Sequence, residues 1–71
     1  MKKVINPNEI AKALLKIGFF KIHQKDSHLR LGNTDGRKVT IAIHNKPLSK
    51  GTLASILRQA KISKEELFRI L

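Results

Sequence analysis

The turn around Asp35-Gly36, with the two alternating runs that flank it, constrains the fold more than any other feature of this sequence. Polar and apolar residues alternate before the turn in His28–Gly32 and after it in Lys38–Ile43. An Asp-Gly pair between two such runs is a strong hairpin signal, because both residues tolerate the positive φ angles of tight turns. The sequence therefore predicts two antiparallel strands whose aliphatic side chains share one face.

A third strand and a helix are predicted before this hairpin. Asn6 is suited to capping a helix and Pro7 to its first position, while Gly18 is suited to ending it. The run Phe19–Gln24 that follows has the composition of a strand.

Alternation along Phe19–Gln24 predicts which side chains of this strand share a face. Phe20 and Ile22 are expected on one face. Lys21 and His23 are expected on the other. An aromatic side chain on the solvent face is then expected only from Phe19 itself, so stacking on nucleic-acid bases is a minor expectation.

Two further helices are predicted after the hairpin. Ser49 can cap the first of them, in which apolar residues recur at helical spacing as Leu53, Ile56, Leu57 and Ala60. Ser63 and Glu66 have the spacing of a capping box, so a short last helix is expected to run toward Leu71.

The fold class that follows is α+β, in the order α-β-β-β-α(-α). A chain of 71 residues predicts one small domain spanning residues 1–71. Because so short a chain buries only about 60% of its unfolded surface, the helices are expected to cover one face of a three-stranded antiparallel sheet and leave the other in water. Any binding site should then be open, with no room for an internal cofactor.

Charge is the second strong signal. Fifteen Lys and Arg against five Asp and Glu give a formal net charge of +10, which favours a polyanionic partner. The chain has no cysteine, which excludes disulfides and thiolate metal sites. It also has no apolar run of the length of a membrane span, and residues 1–7 do not resemble a signal peptide, so a cytoplasmic location and no membrane partner are expected.

Strand parity predicts a basic patch on the exposed face of the sheet. Its members are Lys21, His23, His28, Arg30, Lys38 and Thr40. Histidine titrates near neutral pH, with a reference pKa of about 6.5, and a histidine among cations suits chemistry on a phosphodiester. The charge of the whole chain and this patch together favour a nucleic-acid or an acidic-protein partner.

Several segments together resemble the HicA-type toxins. The likeness covers most of the chain and rests on Ile17-Gly18-Phe19, Lys25-Asp26-Ser27-His28, Asp35-Gly36-Arg37, the run from Ile43 to Leu53, and Ile56-Leu57. Members of this family are small ribonucleases (mRNA interferases) of type II toxin-antitoxin systems. They fold like the double-stranded RNA-binding domain and are paired with HicB antitoxins.

The resemblance implies that His28 is the catalytic residue, because it matches the catalytic histidine of the family's Gly-Ser-His element. It also implies a HicB-type antitoxin as partner and mRNA as substrate. Asp26 departs from the family, because glycine is usual at its position; aspartate tolerates a left-handed backbone better than most residues.

The hypothesis that follows is metal-independent RNA cleavage, with His28 as the base that deprotonates a ribose 2′-hydroxyl. His23 is a candidate for the second acid or base. The predicted RNA-binding residues are Lys21, His23, Lys25, Ser27, Arg30, Lys38, Lys46 and Lys50. Three alternatives stay open: a non-catalytic RNA-binding module, a basic protein that binds another protein, and a metal site formed by His23, Asp26 and His28.

Overall fold

The three-stranded sheet and three helices follow the predicted order. The structure is a computed structural model that describes residues 4–71. Its elements are α1 (Pro7–Lys16), β1 (Phe20–Lys25), β2 (His28–Gly32), β3 (Lys38–Ala42), α2 (Lys50–Ala60) and α3 (Lys64–Ile70). The α+β class and the antiparallel topology are confirmed. None of the helices in residues 4–71 has the length and apolarity needed to cross a membrane.

The ends of α1 are formed by the residues that the sequence singled out. Pro7 is the first helical residue, and the N–H of Asn6 donates to Oε1 of Glu9 at 3.0 Å. Gly18 follows the helix with a φ of +100°, which glycine adopts without steric cost.

Hydroxyl groups cap both C-terminal helices. Oγ of Ser49 accepts from the N–H of Thr52 at 3.2 Å at the start of α2. Oγ of Ser63 accepts from the N–H of Glu66 at 3.0 Å, and Oε1 of Glu66 accepts from the N–H of Ser63 at 3.2 Å, which completes the predicted capping box of α3.

The core lies between the sheet and the helices. Its fully buried large side chains include Ile10, Leu14, Leu31, Val39, Ile41, Ile56 and Leu67. These residues come from α1, β2, β3, α2 and α3, and the helices form one layer on a single face of the sheet, with α1 and α2 against β3 and α3 against α1. The opposite face is left open to solvent.

Helix α2 packs along β3 and runs antiparallel to it. Near its C-terminal end, Oε1 of Gln59 accepts from the N–H of Thr40 at 3.1 Å and the carbonyl of Ala60 accepts from Arg37 at 2.6 Å. The first hydrogen bond occupies a backbone donor on the outer edge of the sheet. The direction of α2 brings its first residue, Lys50, toward the end of the sheet where β3 finishes.

An irregularity in β1 makes the predicted faces of this strand wrong. Lys21 pairs with Leu31, but the next pair is His23 with Arg30, so Ile22 is an extra residue in a β-bulge. A bulge breaks the two-residue alternation, because two residues on one strand oppose a single residue on the other. Lys21 therefore lies opposite a buried leucine, on the helix side of the sheet edge, and not beside His23.

Phe20 and Ile22 lie on the solvent face, contrary to the packing that alternation suggested. Phe20 pairs with Gly32, and a Cβ added to Gly32 would be 2.5 Å from Cδ1 of Ile22 and 3.6 Å from the Phe20 ring. Both side chains therefore cover Gly32, which is buried although it lies in the solvent-facing row of β2. Each remains 47% exposed.

Candidate nucleic-acid interface

The solvent face of the sheet, called here the open face, carries most of the predicted site. Pairing across the strands places on it Phe20, Ile22, His23, Lys25, His28, Arg30, Gly32, Lys38, Thr40 and Ala42. This set contains three Lys or Arg and two His but neither Asp nor Glu. The open face is therefore a positively charged surface, and of the predicted basic patch only Lys21 is missing from it.

His28 is the first residue of β2 and stands at one end of the open face. Its side chain is exposed, and its cross-strand partners are Lys25 on β1 and Ala42 on β3. Arg30 follows two residues later on the same face. The neighbour of His28 on β3, Ala42, has only a methyl side chain.

A tight turn positions His28. Asp26 and Ser27 connect the paired residues Lys25 and His28, and Asp26 has a φ of +55°. This is the left-handed region that glycine adopts most readily, and aspartate is among the few other residues that visit it routinely. Asp26 thus forms the same kind of turn that glycine would.

Ser27 serves this turn through its backbone. Its carbonyl accepts from the N–H of Ile43 at 2.6 Å, which extends the pairing of β2 with β3 by one step beyond His28. The residue is half-buried. Its side chain has no hydrogen bond within residues 4–71, so the hydroxyl is available to a ligand.

His23 lies close to His28 across the β1–β2 pair. It pairs directly with Arg30, and it is therefore the diagonal neighbour of His28 on the same face. Such diagonal residues are roughly 7 to 8 Å apart, a separation at which two imidazoles can contact one phosphate between them. The structure thus brings together His23, Lys25, His28 and Arg30.

The remaining predicted cations stand farther from His28. Lys38 is on the open face but opposite Gly32, four residues along β2 from His28, or roughly 14 Å at 3.4 Å per residue. Lys46 and Lys50 are exposed in the connection after β3 and at the start of α2. Lys21 is exposed as well, but on the other side of the strand.

The sequence reasoning missed Phe20 and chose the wrong aromatic residue. Phe19 is buried at 3% exposure, with the guanidinium of Arg37 4.8 Å from its ring centre, whereas Phe20 is on the open face. Gly32 is the sequence feature that could have indicated the position of Phe20, since a glycine inside a strand often marks a place where another group approaches closely.

The histidine and acid positions do not form a recognisable metal centre. Within residues 4–71 there is no group of three or more His, Cys, Asp or Glu side chains that could hold a metal ion. His23 and His28 are thus close together without a third ligand of these types.

The family relationship follows from residues 7–62, which match the model of the HicA toxin of bacterial toxin-antitoxin systems. This segment includes α1, the whole sheet and α2. The chain belongs to the HicA toxin family. Family membership supports a toxin role and implies a cognate antitoxin as partner. No curated protein matches the chain.

Proposed function

We propose that this HicA family member is a metal-independent endoribonuclease that cleaves mRNA in the cytoplasm. The observation that carries the proposal is the position of His28. Its imidazole is exposed on a face without acids, opposite Lys25 and on the same strand face as Arg30. An exposed imidazole that can accept a proton, beside fixed cations, is what cleavage of a phosphodiester by the adjacent 2′-hydroxyl requires.

In the proposed reaction, His28 accepts the proton of a ribose 2′-hydroxyl. The 2′-oxygen then attacks the adjacent phosphorus, and the bond from phosphorus to the 5′-oxygen breaks. The products are a 2′,3′-cyclic phosphate and a 5′-hydroxyl. One positioned base of this kind contributes typically about 10²–10⁴-fold to the rate.

His23 is the proposed acid that protonates the departing 5′-oxygen. Its diagonal position relative to His28 supports this role, because the attacking and departing oxygens lie on opposite sides of the phosphorus. Lys25 and Arg30 flank the two histidines and are proposed to stabilise the charge that develops on the phosphoryl oxygens.

The other exposed cations are proposed to hold the RNA chain on either side of the cut. Lys38 lies toward one end of the open face, whereas Lys46 and Lys50 lie beyond the other end. The Ser27 hydroxyl is proposed as a hydrogen-bonding group near His28. Contacts of this kind act on the phosphate backbone, so RNA affinity should fall steeply with salt.

The antitoxin is proposed to be of the HicB type and to cover the open face. The absence of acids on that face and the net charge of +10 favour a partner with a negatively charged contact surface. Covering His28 would block access of RNA to the proposed base, which accounts for inhibition without a conformational change.

The decisive experiment compares the parent with His28→Ala and His44→Ala on single-stranded RNA, with EDTA present throughout. His44 is also exposed, but it lies in the connection after β3 and not on the open face, so it controls for loss of any histidine. We expect cleavage to fall about 10²–10⁴-fold in His28→Ala alone. The parent's products should carry 2′,3′-cyclic phosphate ends.

Other outcomes distinguish the alternatives. Equal cleavage by the parent and His28→Ala would remove His28 from the reaction. Salt-dependent binding without cleavage by any of the three proteins would make the chain a non-catalytic RNA-binding module. Circular dichroism of each variant should match the parent, because neither histidine contributes to the core.

A further inference from the structure

Two apolar side chains stand on the open face at the end away from His28. Phe20 and Ile22 are each 47% exposed although they are large apolar residues of a β-strand. We call them the Phe20–Ile22 patch. The proposed cleavage reaction does not use them, and no helix in the described chain covers them.

The β-bulge in β1 and the glycine at position 32 determine where the Phe20–Ile22 patch lies. The bulge between Lys21 and His23 brings Ile22 onto the open face beside Phe20. Gly32 lies beneath both side chains, and a larger residue would push the end of the Ile22 side chain aside, since a Cβ would be 2.5 Å from Cδ1. Because Gly32 has no side chain, Phe20 and Ile22 lie directly over the backbone of β2.

Two basic residues, Arg30 and Lys38, flank the patch. Lys38 lies opposite Gly32 on the far strand, and Arg30 and His23 form the next cross-strand pair toward His28. The open face contains no acid that would repel a phosphate. An aromatic ring beside cations is the arrangement that proteins use to bind single-stranded nucleic acids, with the base on the ring and the phosphates on the charges.

We propose that the Phe20–Ile22 patch stacks one base of single-stranded RNA whose phosphates contact Arg30 and Lys38. The inference rests on the proposed function and adds a base-binding position to it. The patch favours this occupant because two side chains are about the size of one base, and Arg30 and Lys38 stand beside them where the phosphates would lie. Phe20 would position the RNA chain so that it runs past His28, which lies roughly 14 Å away along β2.

The first test measures binding of a 2′-O-methylated oligoribonucleotide, which the proposed reaction cannot cleave. Phe20→Ala is compared with Phe68→Ala, a matched control because Phe68 is 40% exposed but lies on α3 in the helix layer. Loss of a stacked base should weaken binding about 5- to 150-fold in Phe20→Ala. Phe68→Ala should bind like the parent.

A second test reports stacking directly. The chain has no Trp and no Tyr, so Phe20→Trp introduces a single indole at the patch. Its fluorescence should be quenched by the oligonucleotide, and an otherwise identical strand made entirely of abasic residues should quench it far less. The indole of Phe68→Trp should respond to neither.

The results separate this inference from the proposed function. If the parent binds RNA and Phe20→Ala binds equally well, the stacking position is refuted while the nuclease proposal stands. If Phe20→Ala binds weakly but Phe20→Trp shows no quenching, the side chain supports the fold of β1 and does not stack. If the parent does not bind RNA at any salt concentration, both proposals fail.

Discussion

The two hairpin turns of the sheet are built in opposite ways. The turn from Asn33 to Arg37, between β2 and β3, is fixed by side chains: Oδ1 of Asn33 accepts from the N–H of Asp35, and the Asp35 carboxylate accepts from both the N–H and Nε of Arg37. Arg37 also donates to the carbonyl of Ala60 and lies over the Phe19 ring. The Asp26–Ser27 turn, between β1 and β2, has no side-chain hydrogen bond in the described chain.

Because of this difference, the stabilising side-chain contacts and the candidate site lie at opposite ends of β2. The end of β2 near Gly32 is tied to α2 through Arg37, whereas the end that begins at His28 is held by strand pairing and by the buried side chain of Leu29. The Arg37 contacts stabilise the Gly32 end of β2, and the polar residues His28 and Arg30 are exposed toward the other end. The candidate site therefore lies beside the turn that has no side-chain hydrogen bonds within residues 4–71.

The largest effect on stability is expected from Arg37→Ala. The substitution removes a charged hydrogen bond to Asp35, another to Ala60 and the contact with Phe19, while the Arg37 side chain is only 21% exposed. We expect a loss of about 2 to 3 kcal/mol in the free energy of unfolding, measured by urea denaturation. Arg69→Ala, in the exposed last turn of α3, is the control and should change it by less than about 1 kcal/mol. An unchanged midpoint in Arg37→Ala would contradict the proposed attachment.

A smaller effect is expected at the other turn from Asp26→Val. A β-branched residue at a φ of +55° is strained, so the variant should lose about 1 to 2 kcal/mol of stability. Asp26→Gly relieves the strain but gives the unfolded chain more freedom, so it should stay within about 1 kcal/mol of the parent. Thermal melts of the two variants test this order. Equal melting temperatures would mean that the turn does not require the left-handed conformation.

The Asp26→Asn variant separates the charge at this turn from its backbone conformation. Asparagine also adopts left-handed angles, so the fold should be unchanged. Removing a carboxylate two residues from His28 should tighten RNA binding only about twofold to fivefold at low salt, because exposed charges are strongly screened. Fluorescence anisotropy at two salt concentrations measures the change. Weaker binding would mean that Asp26 contacts the ligand favourably.

The smallest effect is expected from the pH dependence of the Asn33–Arg37 turn. Hydrogen bonding from the Arg37 N–H, aided by the guanidinium, lowers the pKa of Asp35 below its ordinary value of 3.8. A carboxyl whose pKa is lower in the folded state stabilises the fold above its unfolded pKa and loses that contribution as the pH falls through the folded pKa. The stability difference between the parent and Asp35→Asn should therefore be constant from pH 7 to 5 and shrink below about pH 4. A difference that grows at low pH would contradict the shift.

Local signals predicted the elements that depend on neighbouring residues. Asn6-Pro7, Ser49 and the Ser63–Glu66 pair marked helix starts, and Asp35-Gly36 marked a hairpin, because caps and turns are satisfied within a few residues. The same local reasoning placed His28 and Arg30 on the open face, since β2 has no irregularity and its alternation is unbroken. Their chemical roles remain predictions.

Residues whose environment depends on distant parts of the chain were harder to predict. Nothing near Arg37 in sequence indicates that it reaches Ala60, which is 23 residues away. The bulge at Ile22 likewise depends on how β1 aligns with β2, so the positions of Lys21, Phe20 and Ile22 could not be read from alternation.

By itself, the sequence determined the order of helices and strands, the net charge and the side of β2 that carries His28. These properties follow from composition, from capping chemistry and from the two-residue period of an unbroken strand. Only the tertiary structure decided which side chains of β1 join His28. One extra residue in a strand reverses every later face assignment, and the register that creates it is chosen by packing between strands.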